Sequence, residues 1–244
     1  GLKTSSIIGS YIFGIFFIFL AAFFVCRYKL PQVFKKADME KSEKNKVIRE
    51  LFSYSWPLTL FALISFFFYW IDSFIIGYFK DATTVGIYNA AVPIASFLIF
   101  IPTLFIQLFF PLITKEFGKG NFNVIKEISK QVTKWTLILN IPLFAIMILF
   151  PGAFLNILFG PEYIVAKTSL VFLAIGSFFS SIFYLSNNLV SIAGKSKLIL
   201  ANIIFVSIIN FILGVILIQK YGINGVAFAT MLSNIILTLI LSFE

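Results

Sequence analysis

The stretch VGIYNAAVPIASFLIFIPTLFIQLFFPLI, residues 85–113, runs for 29 positions without a charged side chain. A helix needs about 20 mostly apolar residues to cross a hydrocarbon core roughly 30 Å thick, so this segment is long enough to span a bilayer. Six more apolar segments flank it, near 5–26, 51–78, 135–150, 168–193, 198–218 and 223–243. The composition agrees, with 60% hydrophobic residues and only 12% charged ones. A soluble fold could not cover that much apolar surface, whereas a bilayer is an apolar solvent that needs no covering. The expected fold class is an all-α polytopic membrane protein of about seven transmembrane helices. The fourth span is short and Pro151-Gly152 ends it firmly, so it either takes in residues before Lys134 or sits tilted.

Loop charges orient such a bundle, because cytoplasmic loops keep an excess of Lys and Arg. The loop after the first span holds Arg27, Lys29, Lys35, Lys36, Lys41, Lys44, Lys46 and Arg49. The loop after the third holds Lys115, Lys119, Lys126, Lys130 and Lys134, and the turn after the fifth holds Lys195 and Lys197. Fifteen of the 19 basic residues thus fall on one face, leaving Lys3, Lys80, Lys167 and Lys220 for the other. This partition predicts a cell-membrane protein with its first residues outside and its last inside. The net charge of +9 then reflects topology and attraction to anionic lipid, and nucleic acid is excluded as a partner.

The chain opens at Gly1 with no initiator Met and closes at Glu244 directly after a span, which reads as an internal fragment of a longer protein. The first span is no signal peptide, since its basic residues follow the apolar core instead of preceding it. A single Cys, Cys26, gives no disulfide framework and no metal cluster. The absence of His removes zinc chemistry and a His general base, and no cofactor is expected.

The polar stretch 28–50 is the clearest internal boundary, separating one helix from the six that follow. It reads as a cytoplasmic linker between two bundles, either plain or regulatory. In the second inner loop, 115–134, Phe122, Ile125, Ile128 and Val132 recur near helical spacing among lysines. That pattern predicts a short amphipathic helix in the headgroup layer, with simple continuation of the fourth span as the other reading. The outer loops are short, so sequential helices pack as antiparallel neighbours.

Within the spans one acid stands out, Asp72 in Tyr69-Trp70-Ile71-Asp72-Ser73-Phe74. An ionisable group in a bilayer is costly unless partnered, so Asp72 is either a cation or proton site or a structural group near the outer interface. Uncharged polar residues are more plentiful, and Asn89, Gln107, Asn140, Asn187, Asn188 and Asn210 are candidates to line a hydrated groove. For any single amide, helix-to-helix hydrogen bonding is the plainer role. Pro93, Pro102 and Pro111 lie in one span, where each removes a backbone hydrogen bond and marks a candidate hinge. Bent or broken helices are what transporters use to open one side and close the other.

Taken in order, these features resemble a known family. The run from Tyr69 through Asp72 and Gly77 to Phe79, followed by Val85-Gly86-Ile87-Tyr88-Asn89-Ala90-Ala91, resembles the start of the second six-helix lobe of polysaccharide flippases. Further matches are Pro111 before a basic loop with Gly118, Leu158-Phe159-Gly160-Pro161-Glu162-Tyr163, Ala193-Gly194-Lys195, and the run Tyr221 to Thr230 that opens the last helix. The resemblance covers roughly residues 45–244. It implies that 1–27 is the last helix of a first lobe, 28–50 the linker, and 51–244 the second lobe. The family belongs to the multidrug, oligosaccharidyl-lipid and polysaccharide exporter superfamily, in which two lobes face a central cavity.

Alternating access is what this resemblance implies: a polyprenyl-linked glycan enters from the inner leaflet and leaves on the outer one. In related multidrug exporters an acid on the first helix of a lobe takes part in proton or sodium coupling, and Asp72 is placed similarly. The spans carry no buried Arg or Lys, unlike relatives that grip pyrophosphates. Headgroup-binding cations are therefore expected in the missing first lobe, or at Lys195 and Lys197 by the inner mouth. A cation-coupled multidrug exporter is the near alternative, and a membrane-embedded glycosyltransferase or polymerase the alternative of another class. The short outer loops and the lack of clustered catalytic groups argue against such an enzyme.

Overall fold

The computed structural model describes residues 4–30, 41–193 and 196–242. Helices follow one another along the chain: α1 (Thr4–Lys29), α2 (Lys41–Tyr69), α3 (Ile71–Phe79), α4 (Ala82–Gly118), α5 (Phe122–Leu149), α6 (Pro151–Leu158), a 3-10 segment (Pro161–Ala166), α7 (Lys167–Ile182), α8 (Tyr184–Ile192), α9 (Ser196–Tyr221) and α10 (Ile223–Ser242). No strand occurs among the described residues. Six stretches are long and apolar enough to cross a membrane, at Gly9–Lys29, Ala82–Gly118, Phe122–Leu149, Pro161–Ile182, Leu198–Tyr221 and Ile223–Ile240. The chain is a multi-pass helical membrane protein.

The span expected over 51–78 is delivered in two pieces, α2 and α3, interrupted at Trp70. The span expected over 168–193 is likewise interrupted, at Phe183 between α7 and α8. The two breaks share one backbone geometry, φ −98° and ψ 6° at Trp70 and φ −98° and ψ 8° at Phe183. Both lie in the sparsely populated bridge region. Neither residue is a Pro or Gly, so no local residue signal marks either break. Conversely, α4 runs unbroken through Pro93, Pro102 and Pro111. The separate amphipathic helix expected within 115–134 is absent: residues 122–134 are the first half of α5, a single 28-residue helix. That length resolves the short fourth span, and α5 ends just before Pro151, as Pro151-Gly152 required. Residues 41–50 of the expected linker belong to α2.

By its contacts the chain divides into two units, Gly1–Phe61 and Ala62–Glu244. In the first, α1 is apolar on every side, and Phe13, Phe17 and Phe24 are all well exposed, as suits a helix solvated by lipid. The second unit holds the core. There α4 packs on α5 and α7, α10 packs on α7 and α9, and α3 lies against α4 and α9. One apolar cluster, with Ile76, Tyr88, Leu98, Leu155, Leu170 and Val226, sits toward the turns at 80–81, 160 and 222. A second, with Ile106, Ile113, Ile125, Val132 and Leu185, sits toward the opposite end.

Two local features fix this packing. Asp81 caps α4 by accepting the Thr84 N–H at 2.7 Å, and the hydrogen bonds from Thr84 hold its carboxyl below the ordinary carboxylate range. A lowered folded-state value means that the cap stabilises above the unfolded pKa and fades as pH falls through the folded one. At the α9–α10 turn, a Cβ on Gly225 would stand 2.5 Å from the Leu217 carbonyl oxygen, so only glycine lets the two helices approach this closely.

A third feature lies at Pro102, which has no N–H to give the Leu98 carbonyl one turn back. Asn140 of α5, fully buried, supplies the missing donor: its Nδ2 donates to the Leu98 oxygen at 2.9 Å and to Ser181 Oγ at 2.9 Å. Ser181 Oγ in turn donates to the Phe178 carbonyl at 2.7 Å. One amide thus joins the proline gap in α4 to the end of α7, two residues before the break at Phe183.

Two outcomes follow for the detergent-solubilised protein in thermal unfolding. Gly225→Ala should cost about 1–3 kcal/mol through overpacking, whereas Gly86→Ala, where a Cβ meets open space, should be neutral or slightly stabilising; equal effects would contradict the close approach. Asn140→Leu should cost about 2 kcal/mol by orphaning buried groups, and less in a Pro102→Ala background that returns an N–H to Leu98. The same cost in both backgrounds would sever the link between Pro102 and Asn140.

Candidate functional site

Within the second unit, α3, α4, α7, α9 and α10 enclose a partly open cavity of about 780 Å³. Helical spacing explains its walls. On α9, Ile203, Val206, Ser207 and Asn210 recur at three- and four-residue steps, and on α10 Thr230, Ser233, Asn234 and Leu237 repeat the pattern, so each set forms one stripe. From α4 come Tyr88, Asn89, Ser96, Phe97 and Phe100. The rings of Phe97 and Phe100 stack at 5.6 Å and are each about half exposed, 51% and 50%.

Asp72 lies in the first turn of α3, directly after the break at Trp70. That break points the chain so that the carboxyl meets three other helices. Tyr88 Oη of α4 donates to Oδ2 at 2.6 Å, and Thr230 Oγ1 of α10 approaches the same oxygen at 2.6 Å. Asn210 Nδ2 of α9 reaches Oδ1 at a longer 3.4 Å and Thr230 Oγ1 at 3.4 Å. Thr230 also has the Val226 carbonyl at 3.2 Å, but its single proton is better placed for the carboxyl. Next to this network, Ser73 Oγ donates to Asn89 Oδ1 at 3.0 Å.

The chemistry of this arrangement is one acidic group among neutral donors. No Lys or Arg is among the described residues lining the cavity. Asn210 Oδ1 and Ser233 Oγ are buried without a hydrogen-bond partner among the described residues, adding unspent oxygen acceptors to those of Asp72 and Thr230. Such a set can take up a proton or a small cation; it offers nothing that would neutralise a pyrophosphate.

Of the residues singled out by sequence, Asp72, Asn89, Asn210 and Pro93 meet in this cavity. Pro93 also frees the Asn89 carbonyl from its helical partner. Asn140 instead joins α4 to α7, Asn188 Nδ2 donates to the Tyr184 carbonyl of its own helix at 2.8 Å, and Gln107 is exposed. Pro102 is buried at the Asn140 contact and Pro111 is exposed further along α4. Lys195 and the side chains of Asn187 and Lys197 lie outside the described residues. Sequence reasoning assigned no role to Tyr88 and Thr230, the two closest partners of Asp72, although both stand in the runs that carry the family resemblance. The stripe of Thr230, Ser233 and Asn234 was the signal that could have found the α10 wall.

Comparison with known proteins bears on this cavity. The chain is 27% identical to an uncharacterized membrane protein of Methanocaldococcus jannaschii over 85% of its own length and 41% of the relative's. It is 27% identical to the probable low-salt glycan biosynthesis flippase Agl15 of Haloferax volcanii, over 79% of this chain and 41% of that protein. With the putative O-antigen transporter of Shigella flexneri it shares 27% identity, over 81% of this chain and 47% of the relative. The chain therefore spans less than half the length of these curated relatives. No solved structure matches it. The family model described as polysaccharide biosynthesis protein matches residues 1–168, more than two thirds of the 244 residues, and the chain belongs to that family.

Proposed function

We propose that this chain forms part of a flippase that carries a lipid-linked oligosaccharide from the inner to the outer leaflet for cell-surface polysaccharide synthesis. The observation that carries the reading is the cavity: a partly open groove in a multi-pass bundle, lined by amides, hydroxyls and exposed aromatic faces around a single carboxyl. Amides and hydroxyls suit the hydroxyl groups of a sugar, and aromatic faces suit its C–H surfaces. The names of the flippase and O-antigen relatives support the same reading.

In this account residues 51–244 are the second lobe and 1–27 the last helix of the first, joined by the linker 28–50. The distribution of basic residues supports an outside start and an inside end. The first lobe completes the cavity, and Lys195 and Lys197 attract the cargo's pyrophosphate at the inner mouth. The polyprenyl tail stays in lipid while the lobes rock, with Pro93, Pro102 and Pro111 as hinges in α4. Asp72 couples the rocking to a proton or sodium ion: empty, its carboxylate is held by the three donors; occupied, its charge is cancelled and that hold on the helices loosens. No step calls for an enzyme or cofactor.

The test is translocation of a labelled polyprenyl-pyrophosphate sugar in proteoliposomes holding the full-length protein. Flipping should exceed that of protein-free vesicles and rise with an imposed ion gradient, and Asp72→Asn should lower it to the rate seen without a gradient. Crossing at the protein-free rate would refute the function, and unchanged gradient dependence in Asp72→Asn would leave Asp72 a structural role alone.

A further inference from the structure

A second concave surface lies on α5, an open groove of about 740 Å³ formed by side chains of that one helix. Lys126, Lys130 and Lys134 stand along it at four-residue steps, with the hydroxyls of Ser129 and Thr133 between them. The three lysines are exposed and the two hydroxyl residues half-buried. Leu137 and Ile138 continue the groove as an apolar slot. The opposite face of α5 buries Ile125, Val132, Thr136 and Asn140 against the bundle, so the lysine face is turned away from the core.

Three observations say what this surface takes. First, its charge is unbalanced: Glu127 is the one acid in α5, and it accepts Lys130 Nζ at 2.9 Å in a pair exposed on both sides, which is weak. Lys126 and Lys134 have no acidic partner among the described residues. Second, the groove straddles the edge of the apolar region. Trp135 is 51% exposed directly after Lys134, and the next exposed side chains, Ile138, Leu139 and Ile141, are all apolar. An aromatic ring beside lysines at the head of an apolar run is the signature of the headgroup level. Third, α5 contributes no residue to the cavity around Asp72, so a molecule held here is off that path.

We propose that the α5 groove seats the phosphate headgroup of an anionic phospholipid from the surrounding leaflet. The lysine ammonium groups and the Thr133 hydroxyl hold the phosphodiester, and an acyl chain lies on Leu137 and Ile138; the Ser129 hydroxyl is turned to the Ile125 carbonyl at 2.7 Å. A zwitterionic lipid gains less, because α5 offers its cationic end a single acid, Glu127, against three lysines. This inference stands apart from the transport reading and survives its failure.

Native mass spectrometry of the full-length protein, released from nanodiscs of equimolar phosphatidylglycerol and phosphatidylcholine, tests it. Phosphatidylglycerol should be retained selectively, and each of Lys126→Gln and Lys134→Gln should lower that selectivity about fivefold, as expected for one lysine at an anionic surface. The triple change to Gln should bring it to parity, while the triple change to Arg should preserve it. The single variants keep the test readable if the triple Gln variant fails to fold. No selectivity in the native protein, or selectivity that survives the Gln changes, would overturn the proposal. So would retention of an added polyprenyl pyrophosphate at these lysines in place of phosphatidylglycerol, since the groove would then belong to the cargo.

Discussion

A carboxyl placed among apolar helices must find donors, and Asp72 finds them on three elements at once: Tyr88 on α4, Asn210 on α9 and Thr230 on α10. In lipid, apolar side chains gain little by leaving one membrane face for another, so interhelical hydrogen bonds and close packing carry more of the specificity. α3 is only nine residues long and cannot span a bilayer by itself. Its position is set by this network together with Ile75 and Ile76, both buried in the larger core cluster. The cavity takes its shape from the same four helices, with α7 closing it through Leu173 and Ser177.

Backbone irregularity is handled in two ways in this bundle. Where proline removes a donor, as at Pro102, a side chain from a neighbouring helix replaces it and α4 continues unbroken. Where the helix does break, at Trp70 and Phe183, no proline is present and both residues take up the same bridge conformation. An interruption of this kind is tolerated at membrane depth when it is buried in protein or lines a cavity; Trp70 does line the cavity. The prolines and the breaks are thus separate devices, tied together at one point by Asn140, which bonds both the Leu98 carbonyl and Ser181.

How much of this was legible in the sequence follows from which signals are local. Apolar length is local, so the spans could be read, down to the stop that Pro151-Gly152 imposes on α5. The breaks at Trp70 and Phe183 were not legible, because aromatic residues are ordinary helix components and only tertiary packing makes them stop. The first half of α5 reads either as a separate amphipathic helix or as a continuation of the fourth span, because its lysines interrupt the hydropathy while no turn residue separates it from the second half; the structure has the continuation. Asp72 could be singled out by charge alone, whereas Tyr88 and Thr230 are unremarkable until the fold brings them within 2.6 Å of it. Amides were the poorest guide: Asn89 and Asn210 line the cavity, Asn140 bolts helices together, and Asn188 turns back on its own helix.

On the proposed flippase reading, the groove beside Asp72 opens to the two sides of the membrane in turn. The most direct measurement of this is the reaction of an impermeant thiol reagent with Ser207→Cys, on the groove's α9 wall, in a Cys26→Ser background of the full-length protein in oriented vesicles. Labelling is expected from either side, with the balance between sides shifting when an ion gradient is imposed. Labelling confined to one side under every condition would contradict it.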